Sequence, residues 1–351
     1  MPCESDSEDT RPLTHMRLAI LSDIHSNYFA LRRVVEHAET QNVDGYLILG
    51  DIVGYLGMPF ETIGQIVEIS SNSRAHDLVV GNHDLIAAGE ASLRLQLPLA
   101  SAEARWSLAW LKRQAALDKN KALFDQFREM INGHPTFKTS EVCGGLWLMH
   151  GVSVEGEDQY NREKSPNVFG YDSYVRDDTW EDTDRLERSY QFSLAQAASS
   201  EVKPRIMIGG HSHRAMLWHR SGEGVWTRQP LAESATRERQ PWRQCPRCLG
   251  DGSCRRWNAI EPILLSPGGE PIYMNPGSVG QPRDGCPAAA MAILDCDQNT
   301  VQFCRLDYDY RAAHDDLFKM VNSEADDKTI EREEAWAERL ASCLETGEFR
   351  R

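Results

Sequence analysis

Short apolar runs alternate with segments of helical spacing in the first part of the chain. Arg17–Ser22, Gly45–Leu49 and Asp77–Val80 have the length and apolar content of buried strands. Tyr28–Gln41 lies between the first two and carries apolar residues at helical intervals, and Ile63–Ile69 is a shorter helical run before the third. Because strands separated by helices in this rhythm form βαβ units, the pattern predicts an α/β fold with parallel strands.

The later part of the chain predicts a second sheet. Leu146–Met149 and Arg205–Ile208 are further apolar strands, and the short alternating runs that follow them are typical of antiparallel strands. Ala100–Met130 has the composition of a helical stretch. Within it, Trp106 and Trp110 lie one turn apart and are expected to form a packing face.

We expect one domain over residues 16–310, with a tail at each end. We predict that residues 1–15 are a disordered appendage, because Met16 fits the start of the first strand well. Residues 311–351 are helical, acidic and polar, and we expect an extension that packs loosely on the outside. Three insertions are expected within the domain: a helical one at about 85–140, a cap-like one at about 155–200, and one rich in Cys and Arg at about 230–260.

Composition limits the classes of protein to consider. The formal net charge of −15 argues against a nucleic-acid partner bound through a broad basic face. No apolar run is long enough to span a bilayer, so no membrane partner is expected. The first eleven residues, Met1–Arg11, lack the order of a secretory signal. A cytoplasmic location follows, in which the nine cysteines are expected to be reduced thiols or metal ligands.

Polar clusters follow five of the apolar strands directly. They are Ser22–Asn27, Gly50–Asp51, Gly81–Asp84, His150–Gly151 and Gly209–His213. The carboxyl ends of the strands in an open α/β sheet form one edge, which is where ligands bind. Asp23 and His25 are two residues apart, so both can reach one cation from an extended turn, and His211 and His213 repeat this spacing.

Side chains of this kind suit the hydrolysis of phosphate esters. Such esters are anionic and resist neutral water, whereas two cations about 3.5–4 Å apart acidify a bridging water and stabilise the attacking and leaving oxygens. A pair of cations needs a ligand that bridges, and the carboxylate of Asp51 can do so. Mixed Asp, His and Asn ligands suit Mn, Fe, Zn or Ni better than Ca, and we favour two divalent ions with manganese first.

Taken together and in this order, the five clusters resemble the calcineurin-like metallophosphoesterase superfamily from about Met16 to Asp309. The resemblance implies a four-layer α/β/β/α sandwich of two mixed sheets. It also implies ligands for a first metal, Asp23, His25, Asp51 and His213, and for a second metal, Asp51, Asn82, His150 and His211. His83 would face the phosphate as the catalytic residue, and would protonate the leaving oxygen or stabilise the transition state. The alternative for His83 is a hydrogen bond behind the ligands.

Two segments are similar to the bacterial and archaeal small phosphodiesterase branch of that superfamily, Gly50–Tyr55 and Asn275–Gly285. The Asn-Pro-Gly-Ser turn of the second segment is expected to pack behind the metal site. Arg283 is expected to contact a substrate phosphate, or else to form a salt bridge with an acidic residue. In Ser/Thr protein phosphatases of the superfamily, an Asp three positions after the bridging Asp pairs with the catalytic His, and here that position is Gly54.

The Cys- and Arg-rich insertion carries a separate motif, in which Cys245, Cys248 and Cys254 resemble half of a zinc knuckle pair. Structural zinc takes four ligands, and a fourth would come from Cys143, Cys286, His219 or another subunit. The alternative is a basic, exposed insertion with inert thiols. Its arginines are the local argument for a nucleic-acid substrate.

The sequence therefore predicts a metal-dependent phosphoesterase, most of all a phosphodiesterase or phosphatase. Its substrate is expected to be small, phosphorylated or nucleotide-like, and its nucleophile a hydroxide that bridges two metals. The alternatives are a Ser/Thr-type protein phosphatase, a nuclease, and a non-catalytic scaffold of the same fold. Gly54 disfavours the first, the net charge of −15 disfavours the second, and the complete set of ligands disfavours the third.

Overall fold

A computed structural model of the chain describes residues 16–72, 75–89, 101–152, 175, 180–200, 202–229, 231, 261–265, 269–323 and 330–347. The predicted appendage at 1–15 lies outside these residues, as do Cys245, Cys248 and Cys254 and most of the cap-like insertion.

The described residues form strands and helices in an order close to the predicted one. The strands are β1 Arg17–Leu21, β2 Gly45–Ile48, β3 Ala75–Leu78, β4 Phe137–Thr139, β5 Leu146–Met149, β6 Ile206–Ile208, β7 Ala215–Arg220, β8 Trp226–Gln229, β9 Ile263–Leu264, β10 Ile272–Pro276, β11 Ala289–Asp295 and β12 Thr300–Leu306. The helices are α1 Tyr28–Thr40, α2 Pro59–Asn72, α3 Asn82–Ala88, α4 Ala102–Ala115, α5 Asp118–Asn132, α6 Trp180–Gln196, α7 Tyr310–Asn322 and α8 Ile330–Thr346.

The strands form two mixed sheets. The first has the order β3-β2-β1-β11-β12-β9, and the second has the order β4-β5-β6-β10-β7-β8. In the first sheet β1 pairs with β2 in parallel, with Ala19 opposite Tyr46, and with β11 antiparallel, with Ala19 opposite Ile293. In the second sheet β6 lies parallel to both β5 and β10. The predicted parallel strands are therefore split between two sheets, and antiparallel strands complete each one.

Alternation of side chains along β1 shows how the layers are stacked. Leu18 and Ile20 lie in a core between the two sheets, whereas Ala19 and Leu21 face a second core formed with α1 to α5. The outer face of the second sheet packs against α6, where Trp147 contacts Phe192 with their ring centroids 6.2 Å apart. The order helices, sheet, sheet, helix confirms the predicted α/β/β/α sandwich.

The C-terminal helices α7 and α8 differ from the expectation of loose packing. Leu317 on α7 and Leu340 on α8 are buried in one cluster with Tyr55, and Ala104 of α4 joins it. Buried apolar residues recur at helical spacing on each helix, whereas Asp315, Glu334 and Glu338 are exposed. The acidic composition of residues 311–351 therefore gave no indication that both helices pack against the domain. No described helix has the length and hydropathy to cross a membrane.

Candidate metal centre

The five predicted polar clusters come together where the carboxyl ends of strands from both sheets meet. Strands β1, β2 and β3 of the first sheet lead into the clusters of Asp23, Asp51 and Asn82. Strands β5 and β6 of the second sheet lead into those of His150 and His211. The centre therefore lies at the edges of two sheets. The sequence pattern predicts all five clusters at the edge of one open sheet.

The backbone turns sharply at most of these side chains. Asp23, His25, Asp51, His211 and His213 all have a positive φ, between 50° and 66°. Residues other than glycine adopt this left-handed conformation only rarely, at a cost of about 1–2 kcal/mol each. Local backbone strain therefore accompanies the loops that carry these side chains.

Asp23, His25 and His213 form the first group of donor atoms. Nε2 of His213 lies 3.3 Å from Oδ1 of Asp23 and 3.1 Å from Nε2 of His25. Nε2 of His25 lies 4.0 Å from the same carboxylate oxygen. Donor atoms about 2.0–2.2 Å from a common cation are separated by such distances.

Asp51 lies between this group and a second one. Its Oδ2 atom is 3.7 Å from Nε2 of His25 and 3.3 Å from Nε2 of His150. Nδ1 of His211 lies 3.2 Å from Nε2 of His150, which completes a group of Asp51, His150 and His211. The structure thus brings together the Asp and His donor atoms of six of the seven predicted ligands, with Asp51 between the two groups. The seventh predicted ligand is Asn82.

Hydrogen bonds orient three of these imidazoles. Nδ1 of His25 faces the carbonyl oxygen of Val53 at 3.3 Å, Nδ1 of His150 faces that of Leu49 at 2.6 Å, and Nδ1 of His213 faces that of Gln281 at 2.7 Å. A ring that donates Nδ1–H to a carbonyl directs the lone pair of Nε2 away from it, which is the usual arrangement of histidines that bind metals.

Asn82 supplies an independent sign of an oxygen ligand. Its Oδ1 atom is buried and has no hydrogen-bond partner among the described residues. A buried oxygen without a donor costs free energy unless a cation or water meets it. Together with the two groups of His and Asp donors, this oxygen fits divalent cations.

The protonation of the buried groups suits the same ligands. Burial holds the pKa of His25, His211 and His213 well below the ordinary value, so these rings are neutral and their lone pairs are available. Burial acts on Asp51 in the opposite sense, but the imidazoles of His150 and His83 outweigh it and hold the pKa of Asp51 low.

His150 and Asp23 carry raised pKa values. Burial lowers the pKa of His150, but the adjacent carboxylate of Asp51 outweighs it and raises that pKa to about 9. Burial and, to a lesser degree, the charge of Asp51 raise the pKa of Asp23 to about 6. Metal ligands bind in deprotonated form, so a cation would replace the proton that His150 holds here.

His83 lies at the side of this centre. Its backbone N–H donates to Oδ1 of Asp51 at 2.9 Å, and its ring centroid is 4.8 Å from that of His25. One ring nitrogen falls into a third donor group with His25 and Asp51. Nδ1 is buried and has no hydrogen-bond partner in the described part of the chain. Burial lowers the pKa of His83, so the ring is neutral.

A profile of the calcineurin-like phosphoesterase family matches residues 16–215, which include all seven predicted ligands and His83. The chain belongs to this family. As a calcineurin-like phosphoesterase, it is a metal-dependent hydrolase of phosphate esters.

This calcineurin-like phosphoesterase is similar to proteins from several organisms. An uncharacterised protein from Methanocaldococcus jannaschii is 24% identical over 304 residues, which cover 86% of this chain and 92% of the relative. A metallophosphoesterase from Sphaerobacter thermophilus is 21% identical, with a TM-score of 0.55 over 94% of this chain and 99% of the other. A hypothetical protein from Pyrococcus horikoshii is 15% identical, with a TM-score of 0.55 over 95% and 98%. The two solved structures share the fold.

Gly54 lies directly against the ring of His83. Its φ is +101°, and a Cβ built on it would overlap Nδ1 of His83. The imidazole therefore occupies the space that a side chain at position 54 would need. An Asp that pairs with His83 has no room at this position.

Asp84 is a residue of the centre to which the sequence assigned no role. Its Oδ1 accepts from the N–H groups of Ile52 at 2.8 Å and Val53 at 3.2 Å, and its Oδ2 accepts from that of Gly81 at 3.1 Å. Burial and then the charge of Asp51 raise its pKa to about 7. Asp84 thus ties the loop after β2 to the start of α3. The sequence signal that could have indicated this role is the position of Asp84 directly after His83.

The Asn-Pro-Gly-Ser turn lies behind the centre, as predicted. Nδ2 of Asn275 donates to the carbonyl of Gly210 at 2.8 Å, and Oγ of Ser278 donates to the carbonyl of Asp23 at 2.7 Å. The turn therefore supports one ligand loop from each sheet.

Arg283 and Asn82 lie on the open side of the centre. Both are half-buried, whereas Asp23, His25 and His150 are fully buried. The guanidinium of Arg283 donates to Oε1 of Gln281 at 2.6 Å. The centre is therefore more accessible beside Arg283 and Asn82 than at Asp23, His25 or His150.

The zinc hypothesis for the cysteine insertion concerns residues outside the described ranges and stays a prediction. Two of the proposed fourth ligands have other surroundings here. Cys286 is buried, which raises the pKa of its thiol to about 11. Nε2 of His219 lies 2.5 Å from Oε1 of Gln229 on the neighbouring strand. Cys143 is a half-buried free thiol.

Proposed function

We propose that the protein is a dinuclear phosphodiesterase or phosphatase for small phosphorylated or nucleotide-like substrates, with manganese as the favoured ion. The observation that carries the proposal is the position of Asp51. One oxygen of this carboxylate lies 3.7 Å from His25, which belongs to the first donor group, and 3.3 Å from His150, which belongs to the second. A carboxylate with donor atoms on both sides is suited to bridge two cations.

The ligand sets follow from the groups. Asp23, His25, Asp51 and His213 would hold one ion, and Asp51, Asn82, His150 and His211 would hold the other. Two bound divalent cations supply positive charge that acidifies a water molecule and offsets the charge of the phosphate. Neutral His25, His211 and His213 favour transition metals over calcium.

We propose that His83 stabilises the transition state of the reaction. It is neutral because burial lowers its pKa, and Gly54 leaves no carboxylate in the position that would raise it. A neutral imidazole is a poor proton donor but a good hydrogen-bond donor. His83 therefore stabilises charge on the phosphate or leaving oxygen through a hydrogen bond.

We propose that Arg283 binds the phosphate group of the substrate. Its guanidinium offers paired N–H groups that suit phosphate oxygens, and it lies on the open side of the centre. After burial, its positive charge is the next cause of the lowered pKa of His213, which places the charge close to the first donor group. We also propose a cytoplasmic location, which the five described free thiols support.

Metal-stripped protein tests the proposal directly. Hydrolysis of bis-p-nitrophenyl phosphate and p-nitrophenyl phosphate is measured after Mn²⁺, Ni²⁺, Zn²⁺ or Mg²⁺ is added back. Turnover should return with metal, with two ions per chain, and should be absent in Asp51→Asn. The matched control is Asp77→Asn, because Asp77 is also a buried carboxylate but accepts from Ser140 away from the centre.

Full turnover of Asp51→Asn would refute the bridging role. Turnover with a single ion per chain would refute the dinuclear centre. The ratio of diester to monoester rates identifies the substrate class.

A further inference from the structure

Tyr55 borders the metal centre without offering a ligand to it. Its ring centroid is 4.8 Å from that of His25 at an interplanar angle of 74°, and 4.8 Å from that of His83 at 41°. The residue is buried, with 7% of its surface exposed, and its φ is +61°. A large aromatic side chain held in the left-handed region is uncommon and requires support from its surroundings.

That support comes from α4. The N–H of Tyr55 donates to Oγ of Ser107 at 2.8 Å, and Oγ of Ser107 in turn donates to the carbonyl of Ala104. The ring also lies in the buried cluster that α7 and α8 form with α4. Tyr55 is therefore fixed at its backbone and along its side chain.

Arg283 lies over the ring of Tyr55. Cζ of Arg283 lies 5.8 Å from the centroid of the Tyr55 ring, which is within the range of a cation–π interaction. The loop of Arg283 is itself anchored, because its N–H donates to the carbonyl of His213 at 3.1 Å. On the far side, Sγ of Cys343 lies 3.3 Å from the carbonyl oxygen of Pro282.

The backbone of Arg283 is thus fixed, but its long side chain has several rotatable bonds. The contacts that restrict the guanidinium include the hydrogen bond to Gln281 and the ring of Tyr55. A guanidinium that is already ordered loses less entropy when it binds an anion, so these contacts raise the affinity for a phosphate group.

We propose that Tyr55 is a positioning residue that holds the guanidinium of Arg283 in place to bind the phosphate of the substrate. The proposal rests on the proposed function, because it deepens the role assigned to Arg283 there. It makes Tyr55 a determinant of affinity for the anionic group and leaves the chemical step to the ligands and His83.

The test compares Tyr55→Leu with Tyr55→Phe in the metal-loaded protein. A cation–π contact of this kind is worth about a three- to tenfold change in affinity. Tyr55→Leu should raise KM for bis-p-nitrophenyl phosphate by that factor, weaken the binding of inorganic phosphate measured by calorimetry equally, and change kcat much less. Tyr55→Phe keeps the ring and should keep both values. If Tyr55→Leu does not fold, Tyr55→Asn replaces it, because Asn adopts a positive φ more readily.

A double variant shows whether Tyr55 acts through Arg283. Arg283→Ala should weaken phosphate binding, and adding Tyr55→Leu to it should cause no further loss. The matched control is Tyr190→Leu, because Arg220 lies over the ring of Tyr190 at 5.1 Å, on the α6 side of the second sheet. This control should leave KM and phosphate affinity at wild-type values.

An unchanged KM and phosphate affinity in Tyr55→Leu would overturn the proposal. The proposal would also be overturned if Tyr55→Leu weakened phosphate binding as much in Arg283→Ala as it does in the wild-type protein, because Tyr55 would then act by another route. Failure of the proposed function looks different: wild-type protein would show no metal-dependent turnover at all.

Discussion

Gly54→Ala is the substitution that tests most directly how His83 is held. A Cβ at this position would place Nδ1 of His83 about 1 Å inside the 3.4 Å at which ordinary van der Waals contact begins. The ring has little room to withdraw, because the rings of His25 and Tyr55 both lie 4.8 Å from it, centroid to centroid. We therefore expect the imidazole to be displaced by about 1 Å.

Two effects of the substitution can be separated by size. Alanine at φ +101° is strained, and the loss of stability should be about 1–2 kcal/mol. The displacement of a catalytic group by about 1 Å costs on the order of 100-fold in rate. Gly89→Ala is the matched control, because Gly89 has φ +88° and no described atom lies within 4 Å of its Cβ position.

The assay combines kcat for bis-p-nitrophenyl phosphate, metal content by mass spectrometry, and thermal unfolding. Both variants should unfold at a lower temperature, and both should keep two metals per chain. Gly54→Ala alone should lose kcat on the order of 100-fold. If Gly54→Ala turns over as fast as Gly89→Ala, the position of His83 does not limit the reaction and the reasoning fails.

Three further predictions concern other parts of the structure. His83→Ala should lower kcat by about 10²–10³-fold and keep both metals; loss of metal would instead make His83 a ligand. Asn275→Leu removes the donor to the carbonyl of Gly210 and should weaken metal affinity by about 10–100-fold in a competition titration with a metal-binding dye; unchanged affinity would deny Asn275 a supporting role. The hydrogen bonds from Arg220 lower the pKa of Glu187 to about 2, so the charged form stabilises the fold above the ordinary value of 4.5. Glu187→Gln should therefore unfold more easily in urea at pH 7, by about 1–2 kcal/mol, and the difference should close as the pH falls from 4.5 towards about 2; a difference independent of pH would refute the ion pair as its cause.

The strands and the ligand loops could be predicted from the sequence because their signals are local. An apolar run of four or five residues that ends in Asp or His marks both the strand and the site, as at Leu21 and Asp23. Helix ends were less accurate. Ile63–Ile69 is predicted as a short helix, whereas α2 spans Pro59–Asn72: it begins one turn earlier, at Pro59, and continues through the polar residues Ser70, Ser71 and Asn72.

Features that depend on distant contacts could not be predicted. The stretch from Ala100 to Met130 divides into α4 and α5 at Ala116 and Leu117, where neither Gly nor Pro marks a break. The position of Tyr55 beside Arg283 arises from loops more than two hundred residues apart, and no local pattern indicates it. The role of Asp84 as a support likewise became visible only in the fold.

The left-handed backbone at the centre has a consequence for how such a chain changes over time. Asp23, His25, Asp51, His211 and His213 each occupy a conformation that glycine would adopt without steric cost. A duplicated gene that no longer needed hydrolysis would be free to exchange these residues for glycine, which relieves the backbone strain at the expense of the side chain's buried contacts. A chain that keeps Asp and His at all five positions retains that cost, as expected of a working enzyme and not of a scaffold that has lost its chemistry.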